Sequence, residues 1–279
     1  MASKQPAPPP FVEVSKHYIN NPFFITTYGF QLLFKYAKNV SILLLLLSIA
    51  GAIGQSEFSR YTNDASNSTA IENYFNSLEP SQLVTLAVSS VLISLAILVV
   101  SIMVSGINGY VATRASKGQA TNLSEAFNAV LGKFGSYTWV YILVNVKILL
   151  WTMLFIIPGI VMAVRYSLSS AVFFDASNNL KGNDVLKKSS ELVKGSWITT
   201  FASFGLFNII TLGWISYFVN ASVLASLYGQ YTEIARSGAK KPKAHWLSWI
   251  VMILPLLLLG LGILIIAAAI AVLSNGGFS

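Results

Sequence analysis

The chain has 279 residues, of which 54% are hydrophobic and 10% charged, against roughly 25% charged in a soluble globular domain, so water is not its main solvent. It has no cysteine, which excludes disulfides, thiolate metal sites, cysteine nucleophiles and iron–sulfur clusters. The net charge of +8 does not mark a nucleic-acid-binding protein, because the basic residues flank apolar blocks instead of forming one stripe or motif.

The first stretch, Met1 to Asn21, is polar and carries Ala7-Pro8-Pro9-Pro10. It lacks the apolar core and small-residue cleavage site of a signal peptide and reads as a disordered cytoplasmic tail over residues 1–21. Residues 22–274 read as a single all-α integral membrane domain, and residues 275–279 as a short extracytoplasmic tail. Apolar blocks near twenty residues long match a hydrocarbon core of roughly 30 Å at about 1.5 Å rise per helical residue. Seven transmembrane helices are expected, at Val40 to Gly54, Leu83 to Ala112, Tyr137 to Ile157, Ile160 to Phe174, Ile198 to Gly213, Ile215 to Ile234 and Trp246 to Leu273. The third and fourth meet at Pro158-Gly159, which reads as a tight reversal, with a kinked re-entrant segment as the alternative. The fifth and sixth meet near Gly213-Trp214, where an aromatic ring suits the headgroup boundary.

The cations set the orientation, since Lys and Arg accumulate in cytoplasmic loops. Of 18 cationic residues, Lys147 and Arg165 lie within spans and Arg60 follows the first span. The rest fall on one side: Lys4, Lys16, Lys35 and Lys38; Arg114, Lys117 and Lys133; Lys181, Lys187, Lys188 and Lys194; Arg236, Lys240, Lys241 and Lys243. That side is expected to be the cytoplasm, which puts the N-terminus inside and the C-terminus outside. The loop over residues 55–82, with Glu57, Asp64, Glu72 and Glu79 against Arg60, then lies outside. A short surface helix is expected there around Ile71 to Leu78, and Asn67-Ser68-Thr69 reads as a chance match to a glycosylation acceptor.

An amphipathic stretch precedes each hairpin on the basic side: Phe23 to Lys38, Leu123 to Phe134 and Asn183 to Lys194. The second starts at Ser124 and Glu125 and gathers Ala126, Phe127, Val130 and Leu131 on one face. The third starts at Asn183-Asp184 and gathers Val185, Leu186, Ser189, Leu192 and Val193. Both enter a span through a glycine-serine-aromatic triplet, Gly135-Ser136-Tyr137 and Gly195-Ser196-Trp197. Three copies of interfacial helix plus hairpin, with the seventh span appended, describe the chain.

Between Trp151 and Trp197 the order Phe155-Ile156-Ile157-Pro158-Gly159-Ile160, Arg165-Tyr166-Ser167, Asp175, Leu186-Lys187-Lys188-Ser189 and Leu192-Val193-Lys194-Gly195 resembles a group of uncharacterised prokaryotic polytopic membrane proteins. That group is related to the membrane domain fused to some glycerophosphodiester phosphodiesterases. The residues that carry the likeness lie between positions 151 and 197 of the 279. It implies a helical bundle of repeated hairpins in a prokaryotic cell membrane, with no agreed activity; no phosphodiesterase domain is present here.

Lys147 and Arg165 are the charges well inside expected spans, where a charge costs about 2.5–3.5 kcal/mol on insertion scales. Lys147 is one turn before Trp151, in reach of a cation–π contact, and Arg165 is placed near the outer end of its helix, able to snorkel. The functional alternative is that both line a cavity for an anionic group. In the second span Ala87, Ser90, Ser94, Ser101, Ser105 and Gly109 form a small-residue face expected to pack against a helix. Asn145, Asn208 and Asn220 are expected to make interhelical hydrogen bonds. His17 and His245 stand apart, so no metal or other cofactor is expected, and no acid pair or nucleophile–base set marks an enzyme. The leading expectation is a non-enzymatic scaffold binding anionic membrane lipid or a partner membrane protein, with contacts at Lys147, Trp151, Arg165, Lys187, Lys188 and Lys194. The alternative is a transporter or exporter of a small anionic or amphipathic solute.

Overall fold

The structure, a computed structural model, describes residues 18–64 and 76–275. Its described residues form helices and no strand: α1 Pro22–Tyr36, α2 Lys38–Asp64, α3 Pro80–Ser116, α4 Leu123–Leu131, α5 Phe134–Leu154, α6 Ile156–Tyr166, α7 Ser169–Phe174, α8 Asn183–Val193, α9 Trp197–Ile210, α10 Ser216–Ser237 and α11 Trp246–Asn275. Five segments are long and apolar enough to cross a membrane: Lys38–Ser56, Pro80–Ser116, Phe134–Leu154, Ile156–Phe174 and Trp246–Ala268. The expected fifth and sixth spans have a different character. α9 is apolar but has 14 residues, and α10 has 22 residues interrupted by Asn, Ser, Gln and Tyr.

α10 forms the axis of the bundle. It packs against α1, α2, α3, α7, α8 and α9, and every residue from Ala221 to Tyr231 is buried. Its polar side chains therefore face protein rather than lipid. Tyr231 exchanges a hydrogen bond with Thr200 at 2.9 Å, Gln230 bonds both the N–H and the C=O of Ile19, and Asn220 accepts from Asn208 at 3.2 Å. Such bonds and close packing hold helices together where lipid supplies no hydrophobic drive between them.

α1 starts at Asn21, whose side chain accepts from Phe23 N–H at 2.9 Å, with Pro22 in the first turn. It crosses α10 so closely that a Cβ on Gly29 would lie 2.1 Å from the Ser222 carbonyl oxygen. Phe30 stacks on Phe218 beside that crossing, with centroids 4.8 Å apart. Tyr18, Ile19 and Asn20, at the end of the stretch expected to be disordered, are held by Ser237, Gln230 and the Lys243 carbonyl. Residues 1–17, and with them most of that stretch, lie outside the described residues, as do Asn67-Ser68-Thr69 and most of the expected surface helix.

The reversal between the third and fourth expected spans falls at Phe155, three residues before Pro158-Gly159. Phe155 is extended (φ −157°, ψ 141°) between α5 and α6. Pro158 sits in the first turn of α6, where a missing N–H costs nothing because that donor has no intrahelical partner. Gly159 is the contact point of the hairpin: a Cβ there would meet Thr152 Oγ1 at 2.1 Å.

The amphipathic faces are readable to different degrees. α8 buries Val185, Leu186, Ser189, Leu192 and Val193, the face expected from its sequence. α4 buries Ala126 and Val130 but leaves Phe127 and Leu131 exposed, and it is capped by Asn122, two residues before the expected start. The small-residue face of α3 packs within this chain only from Ser101 onward: Ser105 meets the Tyr137 hydroxyl at 2.7 Å and Gly109 lies against Ser170. Ala87, Ser90 and Ser94 are exposed.

Candidate functional site

The ends of α3 and α7 and the middle of α10 converge on Asp175. This carboxylate terminates α7, is 4% exposed, and has both oxygens bonded. Oδ1 accepts from Lys117 Nζ at 2.5 Å and from the Ser177 backbone and hydroxyl at 2.9 and 2.6 Å. Oδ2 accepts from the Tyr228 hydroxyl at 2.6 Å. Burial pushes the carboxyl upward, but Lys117, Ser177 and Tyr228 together outweigh it and hold it below its ordinary value. A carboxylate so bonded is a clamp between helices. It forms the floor of a cavity of about 410 Å³ ringed by Lys188, Glu233 and Arg236.

The same end carries the loops around Lys35 and Lys38, Lys117 and Lys133, Lys181 to Lys194, and Arg236 to Lys243. They are tied to one another: Thr121 N–H donates to the Tyr36 carbonyl, and Lys241 Nζ donates to the carbonyls of Leu192 and Lys194 while lying over the Tyr231 ring. Lys241 thus caps the C-terminal end of α8, and its partial burial lowers its pKa.

Each described acid at this end is matched to its own cation. Asp175 holds Lys117, Glu125 holds Arg114 at 3.1 Å, Asp184 holds Lys187 at 3.2 Å, Glu191 faces Lys188 at 3.9 Å, and Glu233 holds Arg236 at 2.8 Å. Glu125 also accepts from Tyr110 and Thr121. The Tyr110 hydrogen bond is the main cause that lowers its pKa against the opposing effect of burial. Lys35, Lys38, Lys133, Lys181, Lys194, Lys240, Lys241 and Lys243 then have no acidic partner among the described residues. All but Lys241 are exposed.

Of the six residues singled out from the sequence, Lys147 and Arg165 each meet α8, which carries Lys187 and Lys188 and is followed by Lys194. Lys147 Nζ donates to Asn183 Oδ1 at 2.5 Å, so it meets the first residue of α8 rather than Trp151, which is exposed. Arg165 lies in the last turn of α6, midway along the apolar segment Ile156–Phe174; its carbonyl accepts from Ser189 of α8 at 2.8 Å and its guanidinium is exposed. Lys187, Lys188 and Lys194 lie on or just after α8, the first two paired to acids and the third exposed. Of the three asparagines, Asn208 and Asn220 bond across α9 and α10, whereas Asn145 bonds the Tyr141 carbonyl of its own helix. The Asp175 clamp draws on residues 117, 175 and 228; its only sequence signal is an acid at the end of an apolar block.

Comparison of the chain with protein families, with curated proteins and with solved structures finds no match.

Proposed function

We propose that this chain is a seven-span, non-enzymatic membrane protein that binds anionic lipid headgroups at its basic end, which faces the cytoplasm. The observation that carries this reading is the matching of acids and cations there: with every described acid at that end already engaged, the exposed lysines have only external anions to meet. Five apolar segments support a multi-pass protein, and the remaining two crossings are the apolar α9 and the largely buried α10. The succession of a shorter helix and a longer one in α1–α2, α4–α5 and α8–α9 supports a threefold repeat. The resemblance around Pro158-Gly159, Arg165-Tyr166 and Lys194-Gly195 supports a prokaryotic cell membrane, and the gathering of lysines and arginines in the loops of one end supports an N-terminus inside and a C-terminus outside.

The test is lipid retention in purified protein, read by native mass spectrometry. A lysine near the membrane surface contributes about 1 kcal/mol to anionic lipid binding. Replacing Lys181, Lys194, Lys240 and Lys243 together by Gln lowers retention of anionic over zwitterionic lipid by at least about tenfold, whereas Lys187→Gln, which removes an acid-paired lysine, has a much smaller effect. Equal retention by wild type and the fourfold variant rejects the proposal.

Transport of an amphipathic solute is the second reading. It is favoured by the break between α6 and α7, since interrupted helices often frame substrate sites.

A further inference from the structure

Inside the bundle, away from the basic end, lies a chamber of about 430 Å³ between α3, α5, the α6–α7 break, α9 and α10. Its polar lining is made of hydroxyls and carboxamides, including Ser105, Asn108, Tyr141, Ser170 and Asn220, and no charged side chain lines it. Its volume falls within the range of small-molecule sites, about 300–1,000 Å³. Ser167 and Leu168 interrupt the helix at its wall, and irregular backbone within a membrane bundle is tolerated where it is buried in protein or lines a cavity.

Asn108 points to an occupant. It is 8% exposed, it lines the chamber, and its Oδ1 has no hydrogen-bond partner. A buried acceptor left unpaired costs about 1–3 kcal/mol. Beyond Ser167 and Phe204, which line both spaces, the chamber adjoins a groove of about 560 Å³. The groove is walled by Ile160, Val164, Phe201 and Ile209. At this junction Asn208 donates to Asn220, and its own Oδ1 is also buried and unpaired.

Two unpaired acceptors call for a donor, and an uncharged lining offers neither a cation for a phosphate nor a carboxylate for an amine. The adjoining groove is apolar. We infer that the chamber and groove bind an uncharged lipid with a hydroxyl-bearing head, which donates to Asn108 and Asn208 while its acyl chain lies along Ile160, Val164 and Phe201. This ligand differs from the anionic headgroups assigned to the basic end, and its site shares no residue with that end.

The probe is a monoacylglycerol, added to the full chain in an amine-oxide detergent whose head carries no hydroxyl. Binding is read by native mass spectrometry and by the thermal unfolding midpoint. The monoacylglycerol is expected to bind and to raise the midpoint in a manner that depends on Asn108, while free glycerol leaves it unchanged and phosphatidic acid, which the basic end takes up, acts equally on wild type and Asn108→Leu. Asn108→Leu is expected to weaken binding about tenfold, as loss of one hydrogen bond to a buried group implies. Tyr141→Phe, which keeps the ring and removes one hydroxyl from the chamber wall, is expected to weaken it less, and serves if Asn108→Leu does not fold. A response to free glycerol matching that to monoacylglycerol overturns the acyl-chain assignment, and a response to phosphatidic acid that Asn108→Leu weakens as much as it weakens monoacylglycerol binding overturns the uncharged one. Absence of monoacylglycerol binding, or binding unaffected by either substitution, overturns the site.

Discussion

Asp175 shows how one buried carboxylate can tie three helices together. Its bonds to Lys117, Ser177 and Tyr228 join α3 and α10 to the end of α7, and removing one partner of a buried pair costs about 3–5 kcal/mol when the other is fully buried. Lys117 is 37% exposed, so water screens part of that loss, and Asp175→Asn should cost about 2–3 kcal/mol. The pH dependence follows from the lowered carboxyl pKa. A carboxylate with a depressed pKa contributes stability that is fully present above its unfolded value, near 3.9, and is lost as pH falls through the folded value. Thermal unfolding in detergent should therefore separate wild type from Asp175→Asn at neutral pH, and the gap should close as pH falls below about 4. A gap that persists unchanged in acid would show that the carboxylate charge is not what holds the clamp. This residue was only partly legible in the sequence. An acid at the end of an apolar block is visible, but its partners lie 58 and 53 positions away, and no local pattern encodes such a meeting. Lys147 and Arg165 stand out more strongly as charges among apolar residues, yet their neighbours in space come from α8, a segment whose docking is invisible to hydropathy.

At the scale of the element, legibility depends on how one-sided the environment is. α8 has protein on one face and solvent-exposed charges on the other, so its period-3.6 pattern identifies its buried face correctly. α10 is surrounded by protein, so its Ser, Asn, Gln and Tyr residues lower its hydropathy without exposing polar groups to lipid. The α5–α6 hairpin shows a third case, in which proline and glycine announce a reversal but do not mark its position. The two residues have separable roles there. Pro158 occupies a position where no intrahelical N–H bond is lost, so Pro158→Ala should shift stability by less than about 1 kcal/mol. Gly159 is pressed against Thr152, with its added Cβ only 2.8 Å from Thr152 Cα as well. Gly159→Val must therefore push the two helices apart and should cost at least about 1–3 kcal/mol, as overpacking does. Unfolding midpoints of the two variants in one detergent decide the matter: a larger loss for Pro158→Ala would place the structural burden on proline instead.

For the whole molecule, the number of crossings turns on α9 and α10. A helix of 14 residues spans about 21 Å at 1.5 Å per residue, short of a hydrocarbon core of roughly 30 Å. The turn from Thr211 to Ile215 and the flanking aromatic residues extend that reach, and a hydrophobic segment shorter than the bilayer is accommodated by local thinning at fractions of a kcal/mol per Å. If α9 and α10 cross as a hairpin, Leu212, 84% exposed at its tip, faces the side opposite the basic loops. A chain without cysteine allows this to be read directly from single-cysteine variants. Leu212→Cys should react with a membrane-impermeant maleimide applied to the outside of intact cells, whereas Lys240→Cys should react only after the membrane is opened. Labelling of Leu212→Cys only after opening would leave α9 and α10 inserted from the basic side, reduce the crossings to five, and keep the C-terminus outside because the two lost spans come as a pair. The lysines would then still meet the cytoplasmic leaflet, so the lipid-binding proposal and the span count fail independently.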